Sequence, residues 1–318
     1  MSDELFYVGP VGGLRPLPDV AGSVDVPLAR IGGTHQSLTG RLTHDTLGFQ
    51  RHWTWAWDLL LAEHLPFVEA LQLGLVPSPL RLVDPRRANR LPEQVASGGS
   101  LTRSSAGFAT SFGGLTYRPL TSTGADPTTL PAAGLLQGAV EWQRPTSGAG
   151  SVYPSETVAE GTWRLPLIPG GETLELSMWV CGKAGMTVGI EWIEYDATGA
   201  GTGYFSAADG DTVELSTTVW QLITVNVEPA VGSVSLTPQL TVGAGEPAGS
   251  VYSTAWQVAA LDAESLPSGM TAGACVDGDL SGGWRPGGGA PLVVTEPAGG
   301  GYPRFGFYSA GLTLIETR

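Results

Sequence analysis

The chain has 318 residues, of which 14% are charged, and carries a formal net charge of −14. Charge this sparse, against roughly 25% in an average soluble protein, and acidic in balance, excludes a surface built to grip nucleic acid through clustered Lys and Arg. An apolar content of 42% and ten tryptophans exclude a disordered chain.

The length suggests two domains, and 46 Gly and 24 Pro between short Val-, Thr- and Trp-rich runs indicate a mainly β protein with many turns. The acidity is uneven. Residues 1–95 hold eight Arg against ten acids, and the remainder holds seven Arg and one Lys against twenty acids.

In chain order, residues 1–30 are rich in Pro and Gly around an early apolar strand, LFYVG. Residues 34–57 read as two strands around a turn near HDTLG, which sets Trp53, Trp55 and Trp57 opposite Gly40, Leu38 and Gln36. The three indoles, at every second position, share one face of a strand. Such a row suits either a platform for sugar rings or the inner wall of a small barrel.

The period then changes. Leu60, Leu61, Phe67, Val68, Leu71 and Leu75 suggest a helix, with Pro66 in its first turn and Gly74 just past its end. PLRLVDP follows as a short strand stopped by Pro85, so residues 1–95 read as a β-β-α-β barrel with one helix.

Residues 96–117 are Gly- and Ser-rich and read as a linker, although alternation from Leu101 onward is compatible with a strand. Residues 118–265 show short strands at turn-punctuated spacing, as in a two-sheet sandwich. In TLELSMWV, Leu174, Leu176, Met178 and Val180 share a face and Trp179 falls out of phase with them. Residues 266–318 begin as loop and then offer the strand candidates LVVTE, RFGFYS and LTLIET, either returning to the first domain or extending away.

Little in the sequence points to catalysis. His35, His44, His52 and His64 form neither HxH nor HExxH, and no GxSxG, P-loop or dinucleotide fingerprint occurs. Glu191 and Glu194 are the carboxylates to weigh for glycoside hydrolysis, but three residues apart on a strand they point to opposite faces. No enzyme is therefore expected, and no cofactor. A structural calcium at Asp209 and Asp211 is the weaker reading there, a plain turn the stronger. Arg81, Arg86, Arg87 and Arg90 form the basic cluster, read as a solvated or subunit-contact loop before a phosphate site. Cys181 and Cys275 make no disulfide framework or zinc spacing. The start of the chain shows no signal peptide, and no 18-residue apolar run suits a membrane span. Among the aromatics, Trp179, Trp192 and Trp220 are the candidates for stacking on a sugar; sealing of sandwich edges is the alternative.

Two resemblances bear on function. YVGPVGGLRPLP, RIGGTHQSLTGRLTHDTLGFQRHWTWAWDLL and EALQLGLVPSPLRLVDPRRANRLP resemble the start of minor tail proteins of tailed phages that infect actinobacteria. Their order is similar to the split-barrel-plus-helix belt domain of distal tail proteins, over about 90 residues. That family implies a ring, usually a hexamer, in the virion, between the tail tube protein and the tail-tip hub proteins, with DNA passing through unbound. In such a domain Trp53, Trp55, Trp57 and Leu71 would form the barrel core, which favours wall over platform.

The second set, PGGETLELSMWV, VGIEWIEYDATG, TTVWQLITVNVEPA and YSTAWQVAAL, is similar to jelly-roll carbohydrate-binding modules; Trp220 and Trp256 match their aromatics and Leu174 stands where they often carry Tyr. The expectation is a mainly β chain: an N-terminal split-barrel-like domain with one helix, then a jelly-roll sandwich, acting as a tail ring subunit that displays a host-glycan-binding face. An adhesion module without ring assembly is the alternative, and a glycoside hydrolase comes last.

Overall fold

A computed structural model describes residues 5–18, 24–31, 34–36, 42–44, 48–85, 89–96, 107–119, 138–155, 164–206, 212–217, 219–260, 289–296 and 307–317. In chain order come β1 (Tyr7–Gly9), β2 (Arg15–Pro16), β3 (Leu28–Ile31), β4 (Thr34–Gln36), β5 (Leu42–His44), β6 (Gly48–Leu61), α1 (Leu65–Gln72), β7 (Leu80–Val83) and α2 (Glu93–Ala96). There follow β8 (Phe108–Thr110), β9 (Gly114–Pro119), β10 (Gly138–Arg144), β11 (Gly150–Pro154), β12 (Leu165–Pro166), β13 (Leu174–Gly182), β14 (Thr187–Tyr195), β15 (Gly201–Ser206) and β16 (Thr212–Glu214). The last are β17 (Gln221–Val227), β18 (Ser235–Val242), β19 (Gly249–Ala260), β20 (Leu292–Glu296) and β21 (Phe307–Glu316). The protein is mainly β and divides into two compact units, residues 5–82 with 291–318, and residues 83–290.

The first unit is a seven-stranded sheet in the order β2-β1-β7-β20-β21-β6-β3, with α1 against it. Strand β6 alternates as the sequence implies: Trp53, Trp55 and Trp57 are buried, Thr54, Ala56 and Asp58 exposed. The indoles join Phe6, Val8, Val68, Leu71, Leu80 and Leu312 in one core, so they form its wall. Trp55 meets the Phe6 ring edge to face, with centroids 5.3 Å apart, the favoured aromatic geometry.

Their strand partners differ from the expectation. Trp53, Trp55 and Trp57 pair with Leu314, Leu312 and Ala310 of β21. Gln36 instead pairs with Leu42 in the separate β4–β5 hairpin, and Leu38 and Gly40 lie outside the described residues. The physical reason is burial: β21 brings an alternating apolar row to the indoles, which a three-residue strand cannot match. The end of the chain thus belongs to the first unit. Arg51, itself buried, clasps Glu316 through Nε (2.9 Å) and NH2 (2.7 Å) and fixes that strand's end.

Helix α1 carries Pro66 in its first turn, and Gly74 beyond its end has φ +66 and donates its N–H to the Leu71 carbonyl, a left-handed terminus that suits glycine. The helix is shorter than the sequence suggests. Leu60 and Leu61 are still strand, and Leu75 is exposed past the helix.

The second unit is a jelly-roll sandwich of a five-stranded sheet, β17-β13-β19-β10-β9, and a seven-stranded one built on β15-β14-β18-β11-β8 with β12 and β16 beside it. From β10 to β19 the principal strands β10, β11, β13, β14, β17, β18 and β19 alternate between the sheets. Their inward residues make one core, including Trp142, Leu176, Ile190, Trp192, Leu240 and Trp256. A bulge in β19, with Ala255 at φ 53, swings Trp256 inward against Phe108 (5.3 Å).

The boundary expected near residue 95 falls at 82/83, because the Asn89 side chain bonds the β19 backbone and Leu91, Val95 and Ala96 enter the sandwich core. The stretch expected as linker, 96–117, contributes β8 and part of β9.

Candidate functional site

Alternation along β14 decides what each face of the seven-stranded sheet carries. Val188, Ile190, Trp192 and Glu194 point into the sandwich, so Glu191, Ile193 and Tyr195 stand on the outer face. Strand β18 lies beside β14 with Glu191 opposite Gln239 and Gly189 opposite Thr241. On its other side β11 places Ser151 opposite Thr241. The result is a cleft of ≈ 590 Å³, lined by Tyr153, Glu191, Ile193, Tyr195, Gln239 and Thr241 and edged by Ser111, Ser151 and Gly243.

The cleft is amphipathic. Ile193 and the rings of Tyr153 and Tyr195 give apolar area; Ser, Thr, Gln and Glu side chains give donors and acceptors. The rim is held by local bonds: Ser151 N–H donates to Ser111 Oγ (2.9 Å), and Thr110 Oγ1 donates to the Ser151 carbonyl (2.9 Å). Tyr195 is buried, with the Arg164 guanidinium 3.9 Å from its ring centroid, whereas Tyr153 is only half-buried.

None of the three candidate tryptophans lines this cleft. Trp192 sits on β14 but faces the core, its Nε1 donating to Glu194 Oε1 at 3.0 Å. Glu194 is buried and also accepts from the Ala230 N–H (2.9 Å) and Ser233 Oγ. Glu191 and Glu194 therefore occupy opposite faces of the sheet, as their spacing implies.

Trp179 and Trp220 do share one cluster, on the outer face of the five-stranded sheet, with Ala139, Cys181, Ala255 and Tyr252. Trp179 is half-buried there, but Trp220 is buried, with its indole N–H unpaired among the described residues. On the same face Glu141 accepts from Arg118 Nε, Ser250 Oγ (2.7 Å) and Tyr252 OH (3.3 Å). Burial opposes ionisation of Glu141, yet the bonds from Arg118, Ser250 and Gln143 hold its carboxyl below the usual range. Glu175 has no such partners among the described residues, and burial pushes its carboxyl up to about 7. Cys181 and Tyr252 are paired across β13 and β19, and Tyr252 is opposite Glu141. Glu175 lies six residues along β13 from Cys181, about 20 Å at the strand rise, beyond the roughly 5–9.5 Å of a glycosidase pair.

The remaining candidates scatter. Arg90 pairs with Glu172 at 2.7 Å and Arg81 is buried, so they do not form a basic patch; Arg86 and Arg87 lie outside the described residues. Asp209, Asp211 and Cys275 also lie outside them. Of the histidines, His64 approaches Glu63 (3.6 Å), His52 is on β6, and His35 and His44 are on β4 and β5. Cys181 donates to the Ser216 carbonyl at 2.7 Å. Among the described residues no three His, Cys, Asp or Glu converge to hold a metal ion, and no helix is long and apolar enough to cross a membrane.

Sequence reasoning missed Tyr153, Tyr195 and Gln239. The signal was present in IEWIEY: once Trp192 is counted with the inward set, Glu191, Ile193 and Tyr195 must share the other face.

No family model matches the chain, and no curated protein does. Solved structures resemble part of it. They include the enzymatically active domain of tailspike protein 4 of bacteriophage CBA120, 10% identical, covering 54% of this chain and 21% of that one, TM-score 0.39. The xylan-binding domain CBM22-1 of Paenibacillus barcinonensis Xyn10C is 15% identical, covering 50% and 89%, TM-score 0.34. The arabinose-bound α-L-arabinofuranosidase MgGH51 is 14% identical, covering 59% and 29%, TM-score 0.39. The chain thus spans less than a third of the tailspike and arabinofuranosidase chains.

Proposed function

We propose that the protein is a structural component of a phage tail whose sandwich binds a host-surface glycan in the cleft on its seven-stranded sheet. The amphipathic cleft carries the glycan reading: a half-exposed tyrosine ring beside an apolar side chain, surrounded by hydroxyl, amide and carboxylate groups, matches a sugar's apolar faces and hydroxyl edges.

The tail reading is supported by the resemblance of residues 1–95 to distal tail proteins and by the inward indoles of that unit. Leu28, Leu59, Leu73 and Leu75 are exposed on it, apolar surface that neighbouring copies in a ring would cover. In this reading the ring, a hexamer by the resemblance, joins the tail tube protein to the tail-tip hub, and several weak sugar sites act together. The mild acidity of the chain overall suits a channel that lets DNA pass without binding.

A glycan array probed with the whole chain tests the sugar reading. Tyr153→Ala should weaken the positive signals about tenfold, the equivalent of roughly 1.4 kcal/mol, with the melting temperature unchanged. Signals that ignore this substitution would place any sugar site elsewhere. Imaging of virions labelled for this chain tests the tail reading; label away from the tube–tip junction defeats it.

A further inference from the structure

We infer that the cleft selects uncharged sugar units and rejects uronic acids and phosphorylated sugars, with Glu191 as the residue that sets this preference. The inference rests on the glycan-binding reading above and adds the chemical class of ligand.

Glu191 is half-buried on the cleft floor, opposite Gln239 in the β14–β18 ladder. It makes no hydrogen bond or ion pair among the described residues, and its carboxylate is available to a ligand. An ionised carboxylate only accepts hydrogen bonds. The partners it requires are O–H or N–H donors, and two adjacent sugar hydroxyls present a pair of them to its two oxygens. The Gln239 amide beside it both donates and accepts, so the row can bind hydroxyls in either sense.

A carboxylate or phosphate on the ligand offers acceptors alone and carries the same sign of charge. Among the described residues the lining holds no Lys, Arg or His to offset this. The cation at this end, Arg164, lies outside the lining with its guanidinium over the Tyr195 ring. The rest of this unit adds to the field, since the described residues of 83–290 hold eleven acids against five bases. An acidic sugar would therefore meet both an unmade hydrogen bond and like-charge repulsion, whereas a neutral one meets neither.

The test measures binding of the whole chain, wild type and Glu191→Gln, to neutral xylo- and galacto-oligosaccharides and to oligogalacturonates, by calorimetry at low and high salt. Wild type should favour the neutral set by about tenfold or more, and salt should narrow the gap. Glu191→Gln keeps an acceptor and a similar shape, so neutral binding should persist while the preference shrinks to about threefold or less. Wild type binding oligogalacturonate as well as the neutral sugars, or Glu191→Gln retaining the full preference, overturns the inference. Absence of wild-type binding to every glycan is a separate result that defeats the glycan reading itself, and the inference with it.

Discussion

Replacing Trp55 by Ala is the sharpest test of the first unit. Trp55 is 2% exposed, at the centre of the row of three indoles, opposite Leu312 and edge to face with Phe6. A Trp side chain buries about 150–250 Å², and at about 25 cal/mol per Å² that is near 5 kcal/mol, part of which Ala retains. Measured losses for Trp→Ala in cores run about 3–5 kcal/mol, so about 4 kcal/mol is expected. That is a large share of the roughly 5–15 kcal/mol that holds a domain together. In a unit of about 100 residues each kcal/mol shifts the midpoint by about 4–8 °C, so the drop should be on the order of 15–30 °C. Calorimetry with near-ultraviolet circular dichroism would show it, and the sandwich transition should stay in place. Trp179→Ala, a half-buried indole on an outer face, serves as the control and should cost far less. An unchanged midpoint for Trp55→Ala would refute the view that the indoles are the wall of a packed core.

Two further outcomes follow from charged groups. Burial raises the Glu175 carboxyl to about 7, so the folded state holds its proton more tightly than the unfolded chain, whose ordinary value is 4.5. Its contribution is full below that ordinary value and is lost as pH rises through about 7; Glu175→Gln should flatten the fall in melting temperature between pH 5 and 8.5, and an unaltered pH profile would contradict the assignment. Glu316→Gln leaves the buried Arg51 guanidinium without its carboxylate, which should destabilise the first unit by about 3 kcal/mol; a chemical-denaturation midpoint equal to wild type would show that the pair does not hold β21 in place.

Much of the fold is visible in local pattern because burial imposes a period. The two-residue alternation of β6 and β13 places Trp53, Trp55 and Trp57 inward and sets Trp179 apart from Met178 and Val180. Pro66 and Gly74 bracket α1 for backbone reasons that hold in any context. What local pattern cannot give is partner choice. A strand of alternating large apolar residues accepts any complementary row, and β21 lies some 250 residues away from β6. Residues 34–44 were nearer in sequence, and nearness lowers the entropic cost of closure only slowly, as the logarithm of loop length. The larger apolar area that β21 offers outweighs that difference. The same reasoning accounts for Leu60 and Leu61: their spacing fits a helix, but pairing of Leu60 and Leu61 with Tyr308 and Phe307 keeps them in the sheet.

The site was harder to see for a related reason. Tryptophan draws the eye as a sugar-stacking residue, yet in a sandwich with many indoles the largest rings are the ones most strongly drawn into the core. Trp142 and Trp256 are buried completely, and Trp192 nearly so. The groups left half-exposed on the outer face are those whose polar atoms make burial costly: Tyr153, Glu191 and Thr241. A surface that recognises a hydroxyl-rich ligand, as proposed for this cleft, would be composed of that same set, because the groups that resist burial are the ones able to exchange water for sugar. In this chain the inward step of Trp192 is therefore informative about the site, since it fixes the register that presents Glu191 and Tyr195 outward.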